Sequence, residues 1–275
     1  MSLAFQDLVP QISPWVASLG NTWLGSTAKL AFAHIEVLHI LSFVVLAGVS
    51  LLLNLRLLGV DLSRESPGEL RSSLSPYLHG SVFGILVSGV LIGCSNAERL
   101  YTSEAFTAKM IGLAAGLVLT YGVTWPSANE GRTGRGVHIA ATIGLALWAV
   151  SIAVFATSKL INPGLWHLIV AAALMVFIVV HGRTRWIFVG GLVALLAAQI
   201  ATAALIIGPS HYDKLDPANK AFAWGFVAWI ALAMGATITR STSQGDGVRF
   251  QRVMAYAGFL VWITVAAAGR WIAFA

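Results

Sequence analysis

Long apolar runs, each broken by a short polar or Pro/Gly-containing stretch, fill the chain from about residue 30 to its end. A bilayer core takes roughly 20 apolar residues per helix. Cutting at the polar punctuation predicts spans at 30–55, 76–95, 105–125, 137–157, 164–181, 186–208, 221–239 and 253–273. The expected fold class is all-α, a polytopic membrane protein of about eight transmembrane helices. An alternative with seven spans fuses or loses the short fifth helix and places the two chain ends on opposite sides. The stretch before residue 30 holds Pro10, Pro14, Trp15, Gly20, Asn21 and Trp23. It lacks the basic start of a cleaved signal peptide and reads as an interfacial segment over 1–29 with its tryptophans at headgroup level.

Composition supports this pattern. The 275 residues are 57% hydrophobic and only 10% charged, too little polar surface for a water-soluble globule, in which about 25% charge is usual. The net charge of +6 is therefore read through the positive-inside rule. No nucleic-acid module accompanies it. One set of alternating loops collects Arg56, Arg64, Arg71, Arg132, Arg135, Arg183, Arg185, Arg240, Arg249 and Arg252. The other side, with nearby helix ends, holds Lys29, Arg99, Lys109, Lys159, Lys214, Lys220 and Arg270. The arginine-rich side is expected to be cytoplasmic and both termini periplasmic, an alternation that favours eight spans over seven. The single cysteine, Cys94, excludes an internal disulfide and a cysteine-ligated iron–sulfur cluster within this chain; it reads as a packing residue.

Four spans followed by four suggest a duplication. Val137–Val150 parallels Val253–Thr264, Ala33-His34-Ile35 parallels Trp166-His167-Leu168, and Ala105-Phe106 parallels Ala221-Phe222. The expected halves are 30–157 and 164–273, related by a pseudo-two-fold axis along the membrane normal. Ile169 and Ala172 stand where the first half has Glu36 and His39, so a site built on that pair occurs once.

Ionisable side chains within spans are costly and count as functional candidates. By depth, His34, His39 and His167 fall in the outer half, His79, His138 and His181 near the cytoplasmic boundary, and His211 in the outer 209–220 loop. Two histidine layers on different helices are what a b-type cytochrome needs, since each haem iron takes two imidazoles from facing helices. The expected iron ligands are His39 with His167 outside, His79 with His138 inside, and His34 and His181 as substitutes. The competing reading of each is an interfacial histidine without a cofactor. Glu36 lies three residues before His39 on the same helix face. It is expected to pair with a cation, for which Lys109 and Arg270 are the candidates; these two could equally hold haem propionates. Gly84, Ser88, Gly89 and Gly93 form a small-residue stripe that lets helices approach closely.

Phe32–Leu41 running to Asn54-Leu55-Arg56-Leu57-Leu58-Gly59, Ala97–Tyr101 leading to Phe106–Lys109, and the closing Leu260-Val261-Trp262 with Gly269–Phe274 resemble a family of uncharacterised bacterial four-span inner-membrane proteins. The chain looks like an expanded or duplicated form of it. More distantly, four-helix units bearing histidines resemble the cytochrome b561-like and copper-resistance CopD-like proteins, which implies haem electron transfer for the first and copper movement for the second. The leading expectation is a membrane electron-transfer subunit, the cytochrome b-like part of an oxidoreductase. It would carry one or two b haems and pass electrons between a periplasmic redox partner and the quinone pool. The alternatives are a copper or small-solute transporter, and a cofactor-free membrane anchor of a larger redox or photosynthetic complex. Against copper, the five methionines are scattered without the clustered thioethers that Cu(I) prefers.

Overall fold

The structure is a computed structural model that describes residues 3–60, 65–129, 134–157, 161–207, 212–239 and 245–272. Arg64, Arg132, Lys159, His211 and Arg240 lie outside the described residues. The principal helices are α1 (Phe32–Leu57), α2 (Pro67–Ser95), α3 (Glu104–Leu119), α4 (Arg135–Thr157), α5 (Ile161–Val179), α6 (Arg183–Ala201), α7 (Tyr212–Thr239) and α8 (Gly245–Trp271). Short helices at Phe5–Leu8, Ser13–Leu19, Trp23–Leu30 and Ala97–Tyr101 lie outside these, and no strand occurs among the described residues.

Seven of these helices are long and apolar enough to cross a membrane, and α5 is a shorter apolar one. Its 19 residues span about 28 Å at ~1.5 Å each, close to the hydrocarbon thickness. The chain is thus an all-α, multi-pass membrane protein. Its outward faces agree: Val37, Ile40 and Val44 on α1 and Trp186, Ile187, Val193 and Ile200 on α6 are all exposed. In water that much apolar surface marks an interaction site; in lipid it is the solvated surface.

Local signals set the helix starts. Ser66 and Glu69 form a capping box, with the Ser66 backbone N–H donating to Glu69 Oε2 at 2.7 Å and Glu69 N–H to Ser66 Oγ at 3.2 Å. This satisfies two orphan donors, and Pro67 takes the first turn, where its missing N–H is harmless. Consequently α2 begins well before the expected 76–95 and runs through Pro76; α7 likewise runs through Pro217. Proline is tolerated in membrane helices because neighbouring groups re-satisfy the freed carbonyl. Ser103 caps α3 through Phe106 N–H at 3.2 Å. That helix widens into a π-turn at Thr120–Thr124 before ending at Trp125–Ser127.

The centre of the bundle is α8, which packs against α1, α3, α4, α5 and α7. Its apolar window is 72% buried against 6% for α6. Met254, Ala257, Val261, Trp262 and Val265, at helical spacing, join a core with α1, α2, α3 and α4. Ala255, Tyr256, Phe259 and Leu260 join a second core with α5, α6, α7 and the C-terminal end of α1. The expected division assigns α8 to the second half as the counterpart of α4. In the structure α8 supplies both cores, while α4 packs foremost on α3.

Close approach at α8 depends on α3. Trp262 is fully buried, its indole lying where a Gly116 side chain would stand, with ring carbons 2.9 Å from that Cβ position. Its Nε1–H donates to Thr120 Oγ1 at 3.1 Å. Trp148 Nε1–H donates to Thr264 Oγ1 at 2.8 Å. In a bilayer, where helices gain no hydrophobic drive to associate, small residues and such interhelical hydrogen bonds hold the bundle.

Candidate functional site

Three helices deliver one side chain each to a common level. Counting ~1.5 Å per residue from the nearest helix ends, His39 lies about 10 Å inside the start of α1, Ser88 about 10 Å from the end of α2, and Lys109 about 8 Å inside the start of α3. They meet. Lys109 Nζ is 3.2 Å from His39 Nε2, and His39 Nδ1 is 2.9 Å from Ser88 Oγ. Ser88, fully buried, donates its hydroxyl to the Gly84 carbonyl.

The donors and acceptors fix a direction. Ser88 gives its one hydroxyl proton to the Gly84 carbonyl, so its oxygen accepts from His39 Nδ1–H, and Nε2 of the neutral ring accepts from the Lys109 amine. The chain thus reads Lys109 to His39 to Ser88 to Gly84, every donor aligned. An ammonium on an apolar helix costs about 3 kcal/mol, and partial satisfaction by an imidazole is one way to retain it. Room for it comes from α8: Gly269 has no side chain, and its Cβ position lies 3.5 Å from Lys109 Cδ, Cε and Nζ. The Cβ position of Gly89 likewise lies 3.5 Å from His39 Cε1.

Glu36 does not join this group. It is exposed and forms no ion pair with Lys109. Three residues along a helix is also about 60° around it, enough for the carboxylate to face outward while His39 faces α2. The expected Glu36–Lys109 pair is therefore replaced by His39–Lys109. Arg270 is exposed at the C-terminal end of α8, beside Gly269. His34 and His167 are exposed on α1 and α5.

The inner histidines have separate surroundings. His79 Nδ1 lies 2.7 Å from the Ser75 carbonyl, with its ring against Tyr121 at 5.7 Å and Trp125 at 5.8 Å. Arg71 lies over the Trp125 ring at 4.8 Å. His138 stacks on Phe250 at 4.5 Å, with Nδ1 3.2 Å from the Gly134 carbonyl. His181 Nδ1 is 2.8 Å from the Val179 carbonyl.

These placements test the fit of a haem. At His39 the fit is poor: Nε2, the atom an iron would take, is turned to Lys109, and α1 and α2 approach closely at Ser42 and Gly84. At His79 and His138 the donor chemistry suits a metal, because an Nδ1–H held by a backbone carbonyl leaves Nε2 as ligand. The two rings rest on different neighbours, His79 on Tyr121 and Trp125 and His138 on Phe250. Among the described residues no three His, Cys, Asp or Glu side chains form a metal-holding group.

A second polar cluster was absent from the sequence reading. Asn54, fully buried, donates through Nδ2 to Ser50 O at 2.8 Å and Ser50 Oγ at 3.1 Å. Thr124 donates to Asn54 Oδ1 at 3.4 Å, and Ser50 to the Gly258 carbonyl at 3.2 Å. Its signal was a Ser/Asn pair four residues apart on an otherwise apolar helix. The π-turn turns both Thr120 and Thr124 inward, one to Trp262 and one to Asn54.

No curated protein and no solved structure matches the chain. Residues 13–138, which carry α1 to α3 and the whole His39–Ser88–Lys109 chain but none of α5 to α8, match a family of unknown function (DUF6644).

Proposed function

We propose that this chain is the membrane subunit of a quinone-linked redox complex in a bacterial inner membrane, with both termini periplasmic, and that His39, Ser88 and Lys109 handle its protons. Electrons come from a partner protein. Reducing a quinone to a quinol takes two electrons and two protons, so a membrane subunit without a redox centre still serves by binding quinone and relaying protons. The observation that supports this reading is the aligned hydrogen-bond chain from Lys109 through His39 to Ser88, because intramembrane ionisable groups facing a bundle interior mark proton relays. The arginine-rich helix ends support this orientation.

The test is isolation of the tagged chain from native membranes in mild detergent, followed by quinone turnover of the isolated complex. A redox subunit should co-purify with the wild type and with His39→Ala and Lys109→Met alike, and turnover should fall at least ~10-fold in both variants, the loss expected for a proton-transfer group. Full turnover in the variants, or absence of a redox partner, sinks the reading.

A second reading, a b-type cytochrome, is favoured by one observation: the carbonyl-held Nδ1 atoms of His79 and His138. A dithionite-reduced minus oxidised spectrum decides between them. A b-type α-band lost in His79→Ala selects the cytochrome; its absence in protein made with ample haem selects the anchor subunit.

A further inference from the structure

A cleft of about 330 Å³ opens to lipid between α1 and α2, lined by Leu41, Ser42, Val45, Pro76, Tyr77, Gly80 and Ser81. Its walls are mainly apolar, and Leu41, Val45 and Tyr77 are exposed on its lipid side. Ser81 spends its hydroxyl on its own helix, donating to the Leu78 carbonyl at 2.9 Å. Ser42 differs. It lines the cleft at 9% exposure, and its hydroxyl is not among the sealed, partnerless side-chain atoms of the described residues, so it is open to the cleft. A hydroxyl open to an apolar cleft donates to a ligand that brings an acceptor, which an acyl chain does not.

Position adds a second argument. Ser42 lies one turn below His39 on α1 and against Gly84 on α2, and the Gly84 carbonyl ends the Lys109–His39–Ser88 chain. The cleft therefore sits at the foot of the proton chain, in the same helix seam. Its size lies at the lower end for small-molecule sites, enough for a substituted ring and the start of its tail.

We propose that the α1–α2 cleft binds the ring of an isoprenoid quinone, with one ring carbonyl accepting a hydrogen bond from Ser42 and the tail leaving into lipid past Tyr77. The choice of ligand rests on the quinone-linked reading above. Pro76 and Gly80 shape the α2 wall: a Cβ at Gly80 meets nothing within 4 Å, so a larger side chain there enters the cleft without striking the bundle.

The experiment is photolabelling of the purified full-length chain in nanodiscs with an azido short-chain quinone, mapped by mass spectrometry, with decyl-quinone as competitor and dodecylbenzene as the carbonyl-free control. Label is expected on residues 41–45 or 76–81 and is displaced by decyl-quinone far better than by dodecylbenzene. Ser42→Ala should weaken decyl-quinone binding about 3- to 10-fold, the loss of one neutral hydrogen bond, and leave dodecylbenzene unaffected. Gly80→Leu should abolish labelling while thermal unfolding stays cooperative. Label elsewhere, wild-type binding in both variants, or equal displacement by dodecylbenzene overturns the proposal. Quinone held in the cleft of a protein with no redox partner refutes the complex and leaves the site; turnover without binding here does the reverse.

Discussion

Gly84→Ala places a methyl group where Ser42 Oγ already stands, well inside van der Waals contact, and 3.1 Å from Ser42 Cβ. The same substitution one turn away, Gly80→Ala, meets open space. Both changes gain the roughly 0.5–1 kcal/mol by which alanine exceeds glycine inside a helix, so that term cancels between them. What remains is overpacking at the α1–α2 crossing, typically about 1–3 kcal/mol. Gly84→Ala should therefore be less stable than Gly80→Ala by about that amount. Adding Ser42→Ala removes the clashing oxygen but not Cβ, and should recover at least half of the difference, a coupling visible in a double-mutant cycle. The assay is reversible SDS-induced unfolding in mixed micelles, followed by tryptophan fluorescence. Equal stability of the two glycine variants, or no coupling to Ser42, would refute close packing of α1 on α2 at this level, and with it the geometry that sets Ser88 against His39.

Three further outcomes follow from other parts of the bundle. Asn54→Leu leaves Ser50 and Thr124 without their shared partner and should lower stability by about 1–3 kcal/mol in the same unfolding assay. Trp262→Ala should lower it by about 3–5 kcal/mol, because the indole is fully buried against Gly116 and Thr120; Thr120→Val, which removes only the hydrogen bond, should lower it by about 1 kcal/mol. In a Cys94→Ala background, an impermeant maleimide added to intact cells should label Ser18→Cys and leave Arg183→Cys unlabelled; the reverse pattern would invert the assigned orientation.

The helices were legible because composition alone demands lipid, and polar punctuation marks the turns. Their starts were less so: the expected spans open at 76 and 221, yet the Ser66–Glu69 capping box starts α2 well before Pro76 and α7 starts at Tyr212. The central place of α8 was hidden for a physical reason. Periodicity separates apolar from polar faces, whereas α8 buries two apolar faces against two different cores, so no stripe distinguishes it. At the site, His39 and Lys109 stood out as costly groups in apolar helices, but their pairing is a tertiary fact. Ser88 was read as one of several small packing residues, and its hydroxyl proves to hold the imidazole. Glu36 was placed with His39 by sequence spacing, which tolerates the rotation that takes the carboxylate outward.

The account rests on Lys109 donating to His39 Nε2 within the bilayer. Solid-state 15N NMR of ring-labelled His39 in lipid bilayers, recorded with and without Lys109→Met, tests this directly. The arrangement predicts a neutral ring protonated at Nδ1 whose Nε2 resonance moves when the ammonium is removed; a ring protonated at Nε2, or a spectrum indifferent to Lys109, would contradict it.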